Sequence, residues 1–162
     1  MRIGYGYDSH RFDETRALVL GGVAIPGSPG LKGHSDADAL AHAIIDALLG
    51  AAALGDIGGH FPDSDPRWSG ADSMLLLAQV MDELHRAGYS IGNIDATVIC
   101  ERPKLGPHVP VIRASLAEML DVDIGRVSVK GKTNEGMDAI GAGEGIAVHC
   151  VALIEEDPHR GS

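Results

Sequence analysis

The sequence predicts an α+β fold, a two-layer sandwich in which helices cover one face of a mixed β-sheet. Three observations carry this expectation. The chain has 162 residues, one domain's worth, with no internal repeat, low-complexity tract or interdomain linker. Segments alternating with a period of two are interleaved with segments whose apolar residues recur every three to four positions. The helices suffice to bury only one face of the sheet, so other copies of the chain are expected to cover the second.

Residues 2–11 alternate as a strand does: Ile3, Tyr5 and Tyr7 share one face, and Gly4, Gly6, Asp8 and His10 share the other. Residues 17–25 read as a second, shorter extended segment, and 26–33, rich in Gly, Pro and Ser, as a loop. Ser35-Asp36-Ala37-Asp38 resembles a capping box with Asp in the Glu position. It opens a helix with Leu40, Ala41, Ile44, Ile45, Leu48 and Leu49 on one stripe. Residues 55–70 form a long polar loop that holds the only tryptophan, and loops of that length inside a domain are usually functional or mobile. A second helix spans about 71–87, with Met74, Leu75, Leu77, Ala78, Met81 and Leu84 inward, and stops at Gly88. Residues 91–100 form a strand, and 107–120 a helix with Pro107 and Pro110 in its first turn. Residues 127–130 are a short strand and 146–156 a long alternating one. The domain is therefore placed at 1–156, with 157–162 a polar tail expected to fray.

Composition excludes some classes of function. Asp plus Glu outnumber Lys plus Arg by 23 to 13, a net charge of −10. A chain so acidic lacks the electropositive face that nonspecific nucleic-acid binding or docking to an anionic membrane requires, although a local basic pocket remains open. No run approaches 18 consecutive apolar residues, and the N-terminus has neither signal-peptide nor transit-peptide character. A cytoplasmic location is expected. Cys100 and Cys150 lie in apolar runs and read as buried thiols rather than a disulfide framework. With only six aromatic residues, the core is expected to be aliphatic and alanine-rich.

Asp8 and His10 project from one strand face, and His42 lies on the first helix between Asp38 and Asp46, four residues to either side. If helix and strand cross, two imidazoles and a carboxylate meet. That set suits Zn²⁺, with a fourth position open for substrate or water. The alternative is a solvated strand end and an amphipathic helix, and spacing leaves both open. Asp38 or Asp46 would orient an imidazole, or be an ordinary helix charge. His34 and Ser35 precede the helix, where backbone N–H groups favour a phosphate, although Ser35 is equally read as a simple N-cap. Residues 130–136, Lys-Gly-Lys-Thr-Asn-Glu-Gly, leave a strand into a turn. Thr133 suits phosphate oxygens and Glu135 suits Mg²⁺ or Mn²⁺, against the alternative of a solvated turn. Gly141, Gly143 and Gly145 lack a dinucleotide-binding context and read as packing or turn positions. His60, His85, His108, His149 and His159 have no interpretable spacing.

Several stretches taken together resemble one family. They are residues 6–10 (Gly-Tyr-Asp-Ser-His), 33–38 (Gly-His-Ser-Asp-Ala-Asp) leading to His42, 55–58 (Gly-Asp-Ile-Gly), 60–63 (His-Phe-Pro-Asp), Pro103-Lys104 and 130–136. In order and spacing they are similar to the 2-C-methyl-D-erythritol 2,4-cyclodiphosphate synthases over about residues 1–156. The resemblance implies a homotrimer whose sheets pack around a central axis, with active sites between subunits. It implies Zn²⁺ on Asp8, His10 and His42, and phosphate contacts from His34 and Ser35. Ile57, Phe61 and Asp63 would hold the methylerythritol unit, and Asp56 and Gly58 the ribose. Cys100, Pro103, Lys104, Leu105 and Gly106, with Lys132, Thr133 and Asn134, would take the cytidine and α-phosphate of a cytidine diphosphate substrate from the adjacent subunit. Glu135 would hold a second cation, Mg²⁺ or Mn²⁺. Asp8, His10, His34, Ser35, His42, Thr133 and Glu135 are the implied catalytic set. The implied reaction is intramolecular phosphoryl transfer with release of CMP. Ala142 stands where many members have arginine, which leaves the expected axial cavity without a fixed cation.

Overall fold

β1 is one long strand, Arg2–Leu20, and turns directly into β2, Val23–Leu31. Gly21 and Gly22 form the turn with φ of 59° and 75°, the two left-handed positions that a tight hairpin requires. This corrects the sequence reading. Residues 17–25 are not a separate segment but the two arms of a hairpin, and 26–31 continue as strand rather than loop. Pro26 and Pro29 are tolerated because β2 is an edge strand, where a missing N–H is cheap. The computed structural model describes residues 1–156, so the expected tail lies outside the described residues.

The chain continues through α1 (Ala39–Ala52), α2 (Ile57–His60), a 3-10 turn at Pro66–Trp68, α3 (Ser73–Arg86) and β3 (Tyr89–Ile99). A 3-10 turn at Gly106–His108 leads into α4 (Val109–Leu120), followed by β4 (Val127–Lys132), α5 (Asp138–Gly141) and β5 (Gly145–Glu156). The five strands make one mixed sheet in the order β2-β1-β5-β3-β4. Only β3 and β4 are parallel neighbours. Pro107 sits in the 3-10 turn before α4 rather than in its first turn. Leu75 is exposed, and the buried stripe of α3 runs instead through Met74, Leu76, Leu77, Val80, Met81 and Leu84. The helical turn α5 was not expected. No helix among the described residues is long and apolar enough to cross a membrane.

α1 does not begin at Ser35. Its N-cap is Asp38, whose Oδ1 accepts from Ala41 N at 3.0 Å. The same buried carboxylate accepts from Gly21 N at 2.9 Å and Gly22 N at 2.8 Å, so the start of the helix is tied to the β1–β2 turn. Burial pushes the Asp38 carboxyl up to about 6, against the pull of these three donors. α1 is buried on nearly every side and lies almost in contact with β1. A Cβ on Gly4 would sit 1.8 Å from Ala47 O, and one on Gly6 1.9 Å from Ala43 O. Helix and strand backbones therefore meet without intervening side chains.

The core between sheet and helices is aliphatic and alanine-rich, as composition indicated, and contains both cysteines as buried thiols. Burial pushes Cys100 up to about 11 and Cys150 to about 12. On the opposite sheet face Ile3, Tyr5, Tyr7 and Val151 are exposed, at 72%, 58%, 48% and 44%. The Tyr5 hydroxyl meets His149 Nδ1 at 2.7 Å on this face.

Candidate active site

The face of β1 that presents Gly4 and Gly6 to α1 continues to Asp8 and His10, because alternate residues of a strand share a side. Close approach at the two glycines brings His42, in the first turn of α1, against them. His10 Nε2 lies 2.8 Å and His42 Nδ1 3.1 Å from Asp8 Oδ2. One ligand atom from each of the three residues falls within 4.8 Å of the others. The sequence reading of these residues as a converging set is correct.

The donor set fits a divalent metal. His10 Nδ1 lies 2.6 Å from the Lys32 carbonyl, which can only accept, so Nδ1 carries the proton. His10 Nε2 is buried and makes no well-directed hydrogen bond. It nevertheless faces the Asp8 oxygen, so a lone pair opposes a carboxylate, an arrangement that calls for a cation between them. Two imidazoles, a carboxylate and an open side are the ligand pattern of a catalytic rather than a structural site. Burial raises the Asp8 carboxyl, but the imidazoles of His10 and His42 beside it outweigh burial and leave Asp8 below its usual value. Burial lowers His10, but Asp8 outweighs it and holds the imidazole above its usual value.

The trio lies at a cavity of about 350 Å³. His34 and Ser35 line it together with Ile57, Gly58, Phe61 and Asp63. Trp68, also on the 55–70 loop, meets Phe61 edge-on with ring centroids 5.0 Å apart, and Leu76 of α3 adds to the lining. The lone tryptophan was the available signal for the first; Leu76 falls outside the stripe that the sequence places inward on its helix. Asp56 does not line the cavity. It caps α2, accepting from Gly59 N at 2.8 Å.

His34 and Ser35 do not offer a free helix N-terminus, because the Asp38 carboxylate already occupies it. Neither Asp38 nor Asp46 orients an imidazole: Asp46 accepts from Ile57 N at 2.8 Å and Asp38 from the three N–H groups described above. The partners of the imidazoles are the Lys32 carbonyl and the Ser73 hydroxyl, 2.8 Å from His42 Nε2. Ser35 Oγ lies 3.2 Å from the same nitrogen. Ser73 looked from sequence like an ordinary helix-start residue.

Cys100, Pro103, Lys104, Leu105, Gly106, Lys132 and Thr133 line a separate cavity of about 250 Å³, joined by Glu101 and Gly131. Glu101 Oε1 accepts from Asn134 N at 2.9 Å. The Asn134 side chain turns away to Asp138, and Glu135 is exposed with φ of 53°, outside the lining of either cavity. Apart from Asp56, Asn134 and Glu135, the predicted residues form two groups that do not share a cavity within one chain. Two wider grooves of about 630 Å³ flank α4, but neither contains a converging set of ligands.

A family model described as the YgbB family matches residues 1–155. A 2-C-methyl-D-erythritol 2,4-cyclodiphosphate synthase from Brachyspira hyodysenteriae is 55% identical over 156 residues, which are 96% of this chain and 99% of the relative. A solved structure of a 2C-methyl-D-erythritol-2,4-cyclodiphosphate synthase in its CDP-bound form matches with a TM-score of 0.88 at 41% identity, covering 95% of this chain and all of that one. The bifunctional IspDF from Campylobacter jejuni matches with a TM-score of 0.92 at 42% identity. That alignment covers 96% of this chain but only 42% of the longer one.

Proposed function

Since the chain belongs to the YgbB family, we propose that its two cavities are complementary parts of one active site, completed between neighbouring copies of the chain. The activity is that of a cyclodiphosphate synthase in the non-mevalonate isoprenoid route. It converts 4-diphosphocytidyl-2-C-methyl-D-erythritol 2-phosphate to 2-C-methyl-D-erythritol 2,4-cyclodiphosphate and CMP. An oxygen of the 2-phosphate bonds to the β-phosphorus, the bridge from β-phosphorus to the α-phosphate breaks, and CMP leaves with the electron pair.

The nucleophile belongs to the substrate, so no strongly activated side chain is needed. Folding a flexible polyanion so that two of its own groups meet, and neutralising its charge, is the work required. Asp8, His10 and His42 would hold Zn²⁺ and Glu135 a Mg²⁺ or Mn²⁺, and the ions would supply Lewis-acid polarisation and charge neutralisation. His34 and Ser35 hydrogen-bond phosphate oxygens. Ile57 and Phe61 pack on the methylerythritol carbons, while Asp63 accepts from its hydroxyls. Asp56 and Gly58 hold the ribose. From the adjacent subunit, Cys100 and residues 103–106 surround the cytosine, and Lys132, Thr133 and Asn134 contact the α-phosphate.

The observation that carries this reading is the Asp8–His10–His42 convergence at a cavity lined by His34, Ser35 and Asp63. The assembly it requires is a homotrimer closed over the sheet face of Ile3, Tyr5, Tyr7 and Val151. That much exposed apolar and aromatic surface favours association. Ala142 places no cation there, so a diphosphate on the axis forms no part of the reading.

Phosphorus NMR on metal-stripped protein, with Zn²⁺ and Mg²⁺ then restored, tests it. CMP appearing one-for-one with a cyclic diphosphate only after metal is returned, and not in a His42→Ala variant, is the expected result. CMP accompanied by a linear bisphosphate would mean that water is the nucleophile, and would overturn the proposal.

A further inference from the structure

Ser73, the first residue of α3, is polar yet fully buried. Its hydroxyl donates to Asp36 Oδ1, and its backbone N–H donates to Asp36 Oδ2 at 3.1 Å. Asp36 Oδ1 also accepts from Asp38 N at 3.1 Å, and the Asp36 backbone N–H donates to Ala71 O at 3.0 Å. The carboxylate is therefore held on several sides. A hydroxyl has one proton and an ionised carboxylate has none. The Ser73 proton therefore goes to Asp36, and the Ser73 oxygen, 2.8 Å from His42 Nε2, must accept. Nε2 then carries the imidazole proton. Nδ1, which faces Asp8 at 3.1 Å, is thereby the nitrogen left to a cation lying between the two.

His10 is fixed in the opposite sense. Its Nδ1–H is taken by the Lys32 carbonyl, which leaves Nε2 toward Asp8. The two rings thus bring different nitrogens to one point, each with its tautomer set from the far side. Ser35 Oγ, 3.2 Å from His42 Nε2, also accepts from Ala37 N at 3.2 Å, and both contacts are longer than that of Ser73.

We propose that Asp36 and Ser73 form a positioning relay that locks His42 in its Nε2–H tautomer and so presents Nδ1 as a ready-made metal ligand. The proposal rests on the metal-site reading of Asp8, His10 and His42. Partners of this kind fix ring orientation and ligand basicity, and their loss typically weakens metal binding about 10–100-fold.

Long-range proton–nitrogen NMR of the metal-free protein reports the His42 tautomer, and zinc titration against a competing chelator reports affinity. The wild type is expected to show the Nε2–H form. Ser73→Ala is expected to show a mixture of tautomers and zinc binding weakened about 10–100-fold. A wild-type ring with no proton on Nε2 would overturn the relay without recourse to any variant. So would Ser73→Ala with the wild-type tautomer retained, or with zinc affinity within about twofold of wild type. A wild type that binds no zinc would overturn the metal-site reading itself, whatever the tautomer, so the two failures are distinguishable.

Discussion

Gly6→Ala should dismantle the metal site from a position that touches no ligand. The new Cβ would lie 1.9 Å from Ala43 O, 2.8 Å from Ala47 N and 2.9 Å from Ala43 C. All three are backbone atoms of α1, so no side chain can turn aside. Ordinary contact begins near 3.4 Å, which requires β1 and α1 to part locally by roughly 1.5 Å. Asp8 and His10 follow on the same face of β1, and His42 directly precedes Ala43 on α1, so the separation is applied across the three ligands. A metal site tolerates deviations of only about 0.2 Å in ligand distance. Overpacking of this kind costs about 1–3 kcal/mol and sometimes more, and with only backbone to yield the upper end is expected. Gly125→Ala, which meets nothing within 4 Å, serves as the control and should stay within about 0.5 kcal/mol of wild type. Denaturant unfolding and competitive zinc titration on both variants measure the effects. Gly6→Ala should lose at least about 2 kcal/mol of stability and bind zinc about 100-fold more weakly or worse. A Gly6→Ala protein that keeps wild-type zinc affinity would refute the coupling of backbone contact to ligand geometry, even if it were less stable.

Other expectations follow from the same structure. Removing the Asp38 carboxylate by Asp38→Ala strands three backbone N–H groups in the interior and should cost about 2–4 kcal/mol, read from the unfolding midpoint. Asp38 also sets a pH dependence: its native carboxyl is raised from 3.8 to about 6, so the folded state holds the proton more tightly than the unfolded chain. Its favourable contribution is complete below 3.8 and is lost as pH rises through about 6, a span worth about 3 kcal/mol. His10, raised above 6.5, acts in the same direction in metal-free protein, whereas the lowered Asp8 loses its contribution only in acid. Metal-free protein should therefore gain stability from pH 7.5 to pH 5, and Asp38→Asn should flatten that slope; a wild type that weakens over this range would contradict the assignment. Ile3→Asp places a charge on the exposed sheet face and should convert a trimer to single chains in sedimentation equilibrium. An unchanged mass would remove that face from the assembly.

Much of the site was legible because it depends on local periodicity. Strand alternation alone put Gly4, Gly6, Asp8 and His10 on one side, and helical spacing put His42 on an element able to cross it. The family resemblance then assigned those residues a chemistry, and the geometry agrees with a divalent metal. The errors lie where a nonlocal contact chose between local options. Ser35 and Asp38 are both acceptable N-caps by composition, and Asp38 prevails because its carboxylate also serves the Gly21–Gly22 turn. Residues 26–31 look like a loop until β1 is available to pair with them at the edge of the sheet. Ser73 looks like a routine helix start, and only the crossing of α1 and α3 places its oxygen on His42. Sequence by itself thus determined which residues share a face and which types could bind metal or phosphate, since those depend on backbone repeat and side-chain chemistry. Tertiary structure decided which nitrogen of each imidazole faces Asp8, which acid caps which turn, and that the candidate residues divide between two cavities. Those outcomes turn on contacts of about 3 Å between segments tens of residues apart, and no periodicity encodes them.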